Sequence, residues 1–191
     1  LTLHGTFSSW MRYLFSGRGP AQQRQLAQEL LADDGSVRLK EFAFESREAL
    51  EQPAVLVLRY VLPAGVRSDG ERRSLELPAV FERMFLGTDF LAERRTPFEA
   101  LDPTRFTSTV RVRLPAMPEA DTLRAFPRAE RNDFCAWNLA AEPGAEPGEL
   151  ALNFQFEALP GQHPPERWAD YHAAFEAALE AWKTPLAWRE D

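Results

Sequence analysis

The segment between Glu149 and Glu157 shows the clearest alternation of apolar and polar residues in the chain. Its apolar positions are Leu150, Leu152, Phe154 and Phe156, and its polar positions are Glu149, Asn153, Gln155 and Glu157. An alternation with period two is typical of a β-strand that buries one face and exposes the other. The pattern therefore predicts a half-buried strand over these residues.

A helical pattern follows this strand. Large apolar and aromatic side chains recur every three or four residues, at Trp168, Tyr171, Phe175, Leu179 and Trp182. With about 100° of rotation per residue, these positions lie within an arc of roughly 80°. Pro164 or Pro165 suits the first turn, where a backbone N–H has no helical partner. We predict an amphipathic helix that packs this stripe against the sheet.

Several other segments have strand patterns. The stretch from Phe106 to Leu114 alternates in the same way, and Asp133 to Ala141 is predicted to form a hairpin with Glu149 to Glu157. Ala54 to Leu62 is apolar at nearly every position, which is typical of a strand covered on both faces. Between Val37 and Phe44 the apolar positions change phase, which predicts a β-bulge or a change of face.

The first third of the chain carries two predicted helices. Leu1 to Gly5 reads as the end of a strand, so we expect the natural protein to extend further towards its N-terminus. A short helix is predicted from Ser8 to Phe15, with Ser8 or Ser9 as its N-cap. A second helix is predicted to begin at Pro20 and to end near Gly35.

These patterns predict one β-rich domain over residues 1–191. We expect an α+β fold that is mainly β, in which an antiparallel sheet or β-sandwich carries two short N-terminal helices and one C-terminal amphipathic helix. The segment from Val80 to Leu91 fits a strand and a helix equally well, so the sequence leaves its structure open.

Composition narrows the classes of partner. The chain has 191 residues, a net charge of −7 and a pI near 5.1, which argue against nucleic acid or an anionic membrane surface. No apolar run approaches the roughly 18 residues of a membrane-spanning helix, so no membrane insertion by this segment is expected. Cys135 is the only cysteine, which excludes an intrachain disulfide.

Cys135, His172 and Asp191 are the residues whose types best suit nucleophilic catalysis. A cysteine nucleophile needs a base that removes its proton, and that base needs an orienting group. Cys135 lies between apolar residues of a predicted strand, whereas a reactive cysteine favours a helix N-terminus or an electropositive pocket. We therefore expect a small buried side chain and a chain that is not an enzyme. A cysteine hydrolase that uses Cys135 is an alternative.

The sequence predicts no cofactor and no metal. His4, His163 and His172 lack the spacing of metal ligands, and no second cysteine is available. The turn from Gly17 to Pro20 precedes a helix and could attract an anion. It lacks the Lys-Ser/Thr pair of a phosphate-binding loop, so we interpret it as a turn between two helices.

Arg94 and Arg95 are candidate contacts with a partner. They precede Thr96-Pro97-Phe98, and an arginine in this position could bind a carboxylate of a partner protein. A strand edge or an internal salt bridge is the alternative use of the same residues.

Five tryptophans raise the alternative of a peptide- or carbohydrate-binding module, because exposed aromatic faces are enriched at binding surfaces. We expect Trp10, Trp168 and Trp182 in the core. The environment of Trp137 and Trp188 is less determined, and Trp137 is retained as a candidate partner contact. Two or more exposed tryptophans in one concave patch would favour this alternative.

The order of these features resembles a known domain. The matching segments are a strand ending at Gly5, the helix with an arginine at Ser8–Arg12, the apolar strand Pro53–Tyr60, and the segments Arg95–Phe98, Thr109–Pro115 and Trp168–Phe175. In this order they resemble the C-terminal domain that follows the transglutaminase-like core in large bacterial, usually exported, proteins. That core itself has no counterpart in this sequence, so none of its catalytic residues can be assigned here.

The resemblance implies a non-catalytic accessory β-domain of the periplasm or cell envelope. Its partner would be a transglutaminase-like or protease-like core that precedes it in the same polypeptide, on which the domain packs or which it positions. The resemblance assigns no ligand and no cofactor to the domain.

Overall fold

A seven-stranded antiparallel sheet dominates the structure, a computed structural model that describes residues 1–32, 36–45, 48–63, 65–78, 94–100, 105–126, 128–146 and 148–189. The strands are β1 (Thr2–Leu3), β2 (Arg38–Glu45), β3 (Ala54–Val61), β4 (Val66–Asp69), β5 (Arg72–Leu75), β6 (Phe98–Ala100), β7 (Arg105–Arg113), β8 (Arg128–Arg131), β9 (Cys135–Pro143), β10 (Glu149–Ala158), β11 (Gly161–His163) and β12 (Leu186–Arg189). The large sheet has the order β2-β3-β1-β7-β10-β9-β8, and two small sheets have the orders β12-β5-β4 and β11-β6.

The described helices all lie between strands in the chain order. They are α1 (Gly5–Phe15), α2 (Pro20–Leu31), α3 (Ala120–Arg124) and α4 (Trp168–Trp182), and a 3-10 turn (Pro165–Arg167) leads into α4. The expected mainly β fold with antiparallel pairing and a C-terminal helix on the sheet is therefore confirmed. The segment from Val80 to Leu91 lies outside the described residues.

Strand β10 carries the alternation predicted from the sequence. Its inward-facing residues are at most 3% exposed, and they are Leu150, Leu152, Phe154 and Phe156. It pairs antiparallel with β7 on one side and with β9 on the other, so the predicted hairpin of β9 and β10 is confirmed. Alternation fixed the buried face of this strand because only one face of the sheet contacts the helices.

Helix α4 packs on this sheet with its aromatic stripe. The ring of Phe175 lies 5.3 Å from that of Phe156, and the ring of Trp182 lies 5.7 Å from that of Phe154. Four residues of the stripe are buried, namely Tyr171, Phe175, Leu179 and Trp182, and Trp168 is half-buried. Pro165 begins the 3-10 turn, where its missing N–H has no helical partner.

Helix α1 begins at Gly5, three residues before the predicted start. Gly5 has a φ of 58°, which lets the chain turn directly from β1 into the helix. The prediction of Ser8 or Ser9 as the N-cap is therefore wrong. Ser8 lies inside the helix, and its Oγ accepts hydrogen bonds from Arg12 and from the backbone N–H of Ala54.

Strand β3 is covered on one face only, which corrects the expectation for Ala54 to Leu62. Val57 is 47% exposed and Val61 is 42% exposed, although both are apolar. The reason is that α1 and α4 pack on the same side of the sheet, where Phe7 contacts Phe106 and Trp182 contacts Phe154. The predicted irregularity in β2 is confirmed, because its register with β3 shifts between Leu39 and Glu41.

Candidate functional site

The seven-stranded sheet is incomplete in its interior, at the third of its seven strands. Strand β1 has only two residues, yet it lies between the eight residues of β3 and the nine residues of β7. Beyond Leu1, both neighbours continue, and within the described residues no strand lies between them. We call this opening the central slot, and its walls are Val57–Val61 of β3 and Thr109–Arg113 of β7.

The central slot contains an open cleft of about 210 Å³. Its walls and floor include Leu58, Tyr60, Ser108, Val110 and Trp182. These side chains belong to the sheet face that carries the core or to helix α4, so the floor of the cleft is largely apolar. Burial raises the pKa of Tyr60 to about 12, which keeps its hydroxyl neutral and leaves it as a polar atom in an apolar floor.

Leu1 closes one end of the central slot. Its amino group donates to the carbonyl oxygen of Leu56 at 2.9 Å, and the N–H of Leu56 donates to the carbonyl oxygen of Leu1 at 2.8 Å. Leu1 therefore continues the ladder that β1 begins. Burial lowers the pKa of the Leu1 amino group, because a charged ammonium is poorly solvated inside a sheet.

A polar basin of about 360 Å³ lies on the sheet around the start of β7. Its charged and polar lining includes His4, Arg105, Gln155 and Glu157, and Arg105 is directly opposite Glu157 in the register of β7 and β10. Burial, and then the charge of Arg105, lower the pKa of His4, so this imidazole favours its neutral form. The basin offers hydrogen-bond donors and acceptors for a polar group.

Cys135 does not have the surroundings of a nucleophile. Its thiol is fully buried at the start of β9, and Sγ lies 3.8 Å from the carbonyl oxygen of Ala174 in α4. Burial raises the pKa of the thiol to about 11, which disfavours the thiolate. His172 is paired instead with Glu176, with 3.1 Å between Nδ1 and Oε1. Asp191 lies outside the described residues.

Arg94 contacts aromatic rings of its own chain. Its guanidinium carbon lies 5.0 Å from the centre of the Trp168 ring and 5.4 Å from that of the Phe98 ring. This cation–π arrangement connects the segment before β6 to the start of α4. Arg95 is exposed. Contact of either arginine with a partner protein stays a prediction.

The tryptophans do not form an exposed patch. Trp137 is 8% exposed and Trp188 is 1% exposed, and within the described residues neither indole N–H has a hydrogen-bond partner. Trp10 is 37% exposed, so the expectation that it lies in the core is wrong. It falls beside the buried stripe of α1, whose members are Phe7, Met11 and Phe15. The condition for a tryptophan-based binding surface is therefore not met, because Trp10 is the one exposed tryptophan of five.

Among the described residues, no group of three or more histidine, cysteine, aspartate or glutamate side chains is arranged to hold a metal ion. Of the helices in the described part of the chain, none has the length and apolar character to cross a bilayer.

Sequence reasoning missed the central slot. The alternation of Leu1, Thr2 and Leu3 indicated a strand, but alternation identifies a face and not a neighbour. The residues that flank β1 come from positions about 50 and 100 residues later in the chain. Nothing local in the sequence indicates that pairing.

Comparison with known proteins returned no match to this chain among protein-family models, curated proteins or solved structures.

Proposed function

We propose that this chain is a non-catalytic accessory domain that packs on and positions a transglutaminase-like or protease-like core preceding it in the same polypeptide. The observation that carries the proposal is the position of β1 inside the sheet, between β3 and β7. A polypeptide that continues from Leu1 in the direction of β1 runs between β3 and β7, so the junction between the two domains is built into the sheet. Such a junction holds a neighbouring domain more rigidly than an exposed linker does.

The surroundings of Cys135 support the non-catalytic part of the proposal. A fully buried thiol with a raised pKa is a poor nucleophile. This thiol also donates a hydrogen bond to the carbonyl oxygen of Ala174, so it contributes to the packing of β9 against α4. By the resemblance of the feature order, the parent protein would be bacterial and exported, and the domain would work in the periplasm or cell envelope.

Peptide binding is a second candidate, and the central slot favours it over carbohydrate binding. Among the described strands, none but the short β1 pairs with the facing sides of β3 and β7, and these sides suit the backbone of an extended peptide. Carbohydrate binding has less support, because four of the five tryptophans are buried or half-buried in the part of the chain that the structure describes.

The test uses the polypeptide that precedes Leu1 in the natural open reading frame, produced separately from this chain. Isothermal titration measures its binding to the chain of 191 residues. We expect a Kd in the micromolar range or tighter and a higher melting temperature for the mixture. Absence of binding at high micromolar concentration refutes the proposal. If the preceding polypeptide lacks a papain-like segment with a cysteine and a histidine, the identification of the core as transglutaminase-like or protease-like is refuted.

A further inference from the structure

We propose that the five residues immediately preceding Leu1 in the natural polypeptide form a β-strand that fills the central slot and pairs with β3 and β7 at once. The inference rests on the proposed function, since it takes the preceding core as the source of the strand. It specifies the length, the direction, the hydrogen bonds and the side-chain pattern of the segment that joins the preceding core to this domain.

The length follows from the register. Thr2 is opposite Val55 and Leu3 is opposite Ala54, so residues before Leu1 are opposite Val57 to Val61 in turn. On the other side, Thr2 is opposite Thr107, so the same residues are opposite Thr109 to Arg113. Both walls therefore end after the same five positions (61 − 56 = 5 and 113 − 108 = 5). A strand of five residues completes both ladders together.

The hydrogen bonds follow from the alternation of an antiparallel ladder. Leu1 and Leu56 exchange both of their backbone bonds, so the next groups of β3 that point into the slot are those of Leu58 and Tyr60. On β7, the carbonyl of Arg105 accepts from the N–H of His4, so Thr109 and Arg111 point into the slot. Within the described residues no strand pairs with this side of either wall. Strand sides of this kind, with backbone groups open to a further partner, readily pair with an added strand.

The side chains of the added strand must alternate in a defined phase. The second and fourth residues before Leu1 are opposite Leu58 and Tyr60 on the core side, where the cleft has its apolar floor. The first, third and fifth residues lie on the exposed face, where the third is opposite Arg59 and Arg111. The strand therefore reads polar, apolar, acidic, apolar, polar before Leu1.

Continuity with β1 identifies the source of the strand. The amino group of Leu1 already occupies the ladder position at the mouth of the slot, 2.9 Å from Leu56 O. A strand from another molecule, running in the same direction, would place its own carboxyl end against this amino group. A strand that is covalently continuous with Leu1 has no chain ends at this point, and the peptide N–H of Leu1 keeps its hydrogen bond to Leu56 O.

The experiment compares two extended forms of the chain. One carries Thr-Val-Glu-Val-Thr directly before Leu1, which places valine at the second and fourth positions. The other carries Val-Thr-Val-Thr-Glu, which has the same composition with its valines on the opposite face. Hydrogen exchange of individual amides and thermal melting are measured for both forms and for the chain without an extension.

We expect the first extension to slow exchange at the amides of Leu58, Tyr60, Thr109 and Arg111 by about tenfold or more. Amides that already bond to β2 or β10, such as those of Val57 and Val110, serve as internal controls and change little. The melting temperature rises by about 3 to 8 °C with the first extension and by less with the second. Equal exchange at the four slot amides with both extensions overturns the inference.

The outcomes separate this inference from the proposed function. If the first extension protects the slot amides but the natural preceding polypeptide carries no papain-like core, the strand stands and the proposed function falls. If that core binds in trans while neither extension protects the slot, the proposed function stands and the strand is overturned. If a free peptide Thr-Val-Glu-Val-Thr protects the four amides at micromolar concentration as well as the fused one does, the covalent source is overturned in favour of peptide capture.

Discussion

Substitution of Arg12 is the most informative single perturbation of the fold, because its side chain connects α1 to the segment before β3. Its side chain is 8% exposed, and its guanidinium donates to Ala49 O at 2.9 Å, to Gln52 O at 2.6 Å and to Ser8 Oγ. The two carbonyls lie in the connection between β2 and β3, 37 and 40 residues away in the chain. We predict that Arg12→Met, which keeps most of the stem and removes the donors, destabilises the protein.

The magnitude follows from the two carbonyl bonds. A hydrogen bond with one charged partner contributes about 1.5–3 kcal/mol. Two such bonds set an upper range near 3–6 kcal/mol, and the freed carbonyls recover part of it by bonding to water. We therefore expect the free energy of unfolding to fall by about 3 kcal/mol, which is a large part of the 5–15 kcal/mol typical of a domain. The melting temperature falls by roughly 6–12 °C.

Urea denaturation measured by tryptophan fluorescence gives the free energy of unfolding of Arg12→Met. The matched control is Arg18→Met, because Arg18 is exposed and its guanidinium donates to Leu14 O, four residues earlier in the same chain segment. We expect the control to change stability by less than about 0.5 kcal/mol. Hydrogen exchange near Ala49 and Gln52 should accelerate in Arg12→Met alone. A loss below about 0.5 kcal/mol in Arg12→Met would show that these bonds do not hold the loop.

Three further predictions concern α4, the thiol and the amino terminus. Phe175→Ala should lower the free energy of unfolding in urea by about 3–5 kcal/mol, because its ring packs on Phe156 and Tyr171; an unchanged curve contradicts the docking of α4. At pH 8, Cys135 in the folded protein should react with Ellman's reagent at least about 100-fold more slowly than in urea, since its pKa is raised from 9.0 to about 11; equal rates contradict its burial. The Leu1 amino group has a lowered pKa when folded, so its charged form opposes folding at low pH and the penalty disappears as pH rises through 8.0. N-terminal acetylation should therefore stabilise the protein more at pH 6 than at pH 9 in thermal melting, and an equal gain at both pH values contradicts the burial of this group.

Local sequence patterns predicted the buried faces of the elements that contact the core on one side only. The faces of β7 and β10 and the stripe of α4 follow from periodicity, because each of these elements has one side against the core and one side against solvent. The prediction that β3 is covered on both faces was wrong. Val57 and Val61 are apolar but exposed, so hydrophobicity alone gave no information about how many faces were covered.

The candidate site depends on contacts between distant parts of the chain. The cation–π contact of Arg94 with Trp168 joins residues 74 positions apart, and the walls of the central slot come from β3 and β7, whose starts are 51 positions apart. A carboxylate clamp was the interpretation of Arg94 suggested by its neighbours in sequence. Its aromatic partner is visible only when β6 and α4 are placed side by side.

A strand that fills the central slot would determine the position of the preceding domain to within one residue. A shift of register by a single residue turns every side chain of the strand to the opposite face, so its valines or equivalents would leave the apolar floor formed by Leu58, Tyr60 and Val110. Two ladders, one with β3 and one with β7, would have to break together for such a shift. Under the proposed function, a domain without catalytic residues can therefore set the geometry of a catalytic neighbour, because the strand that joins them has one allowed register.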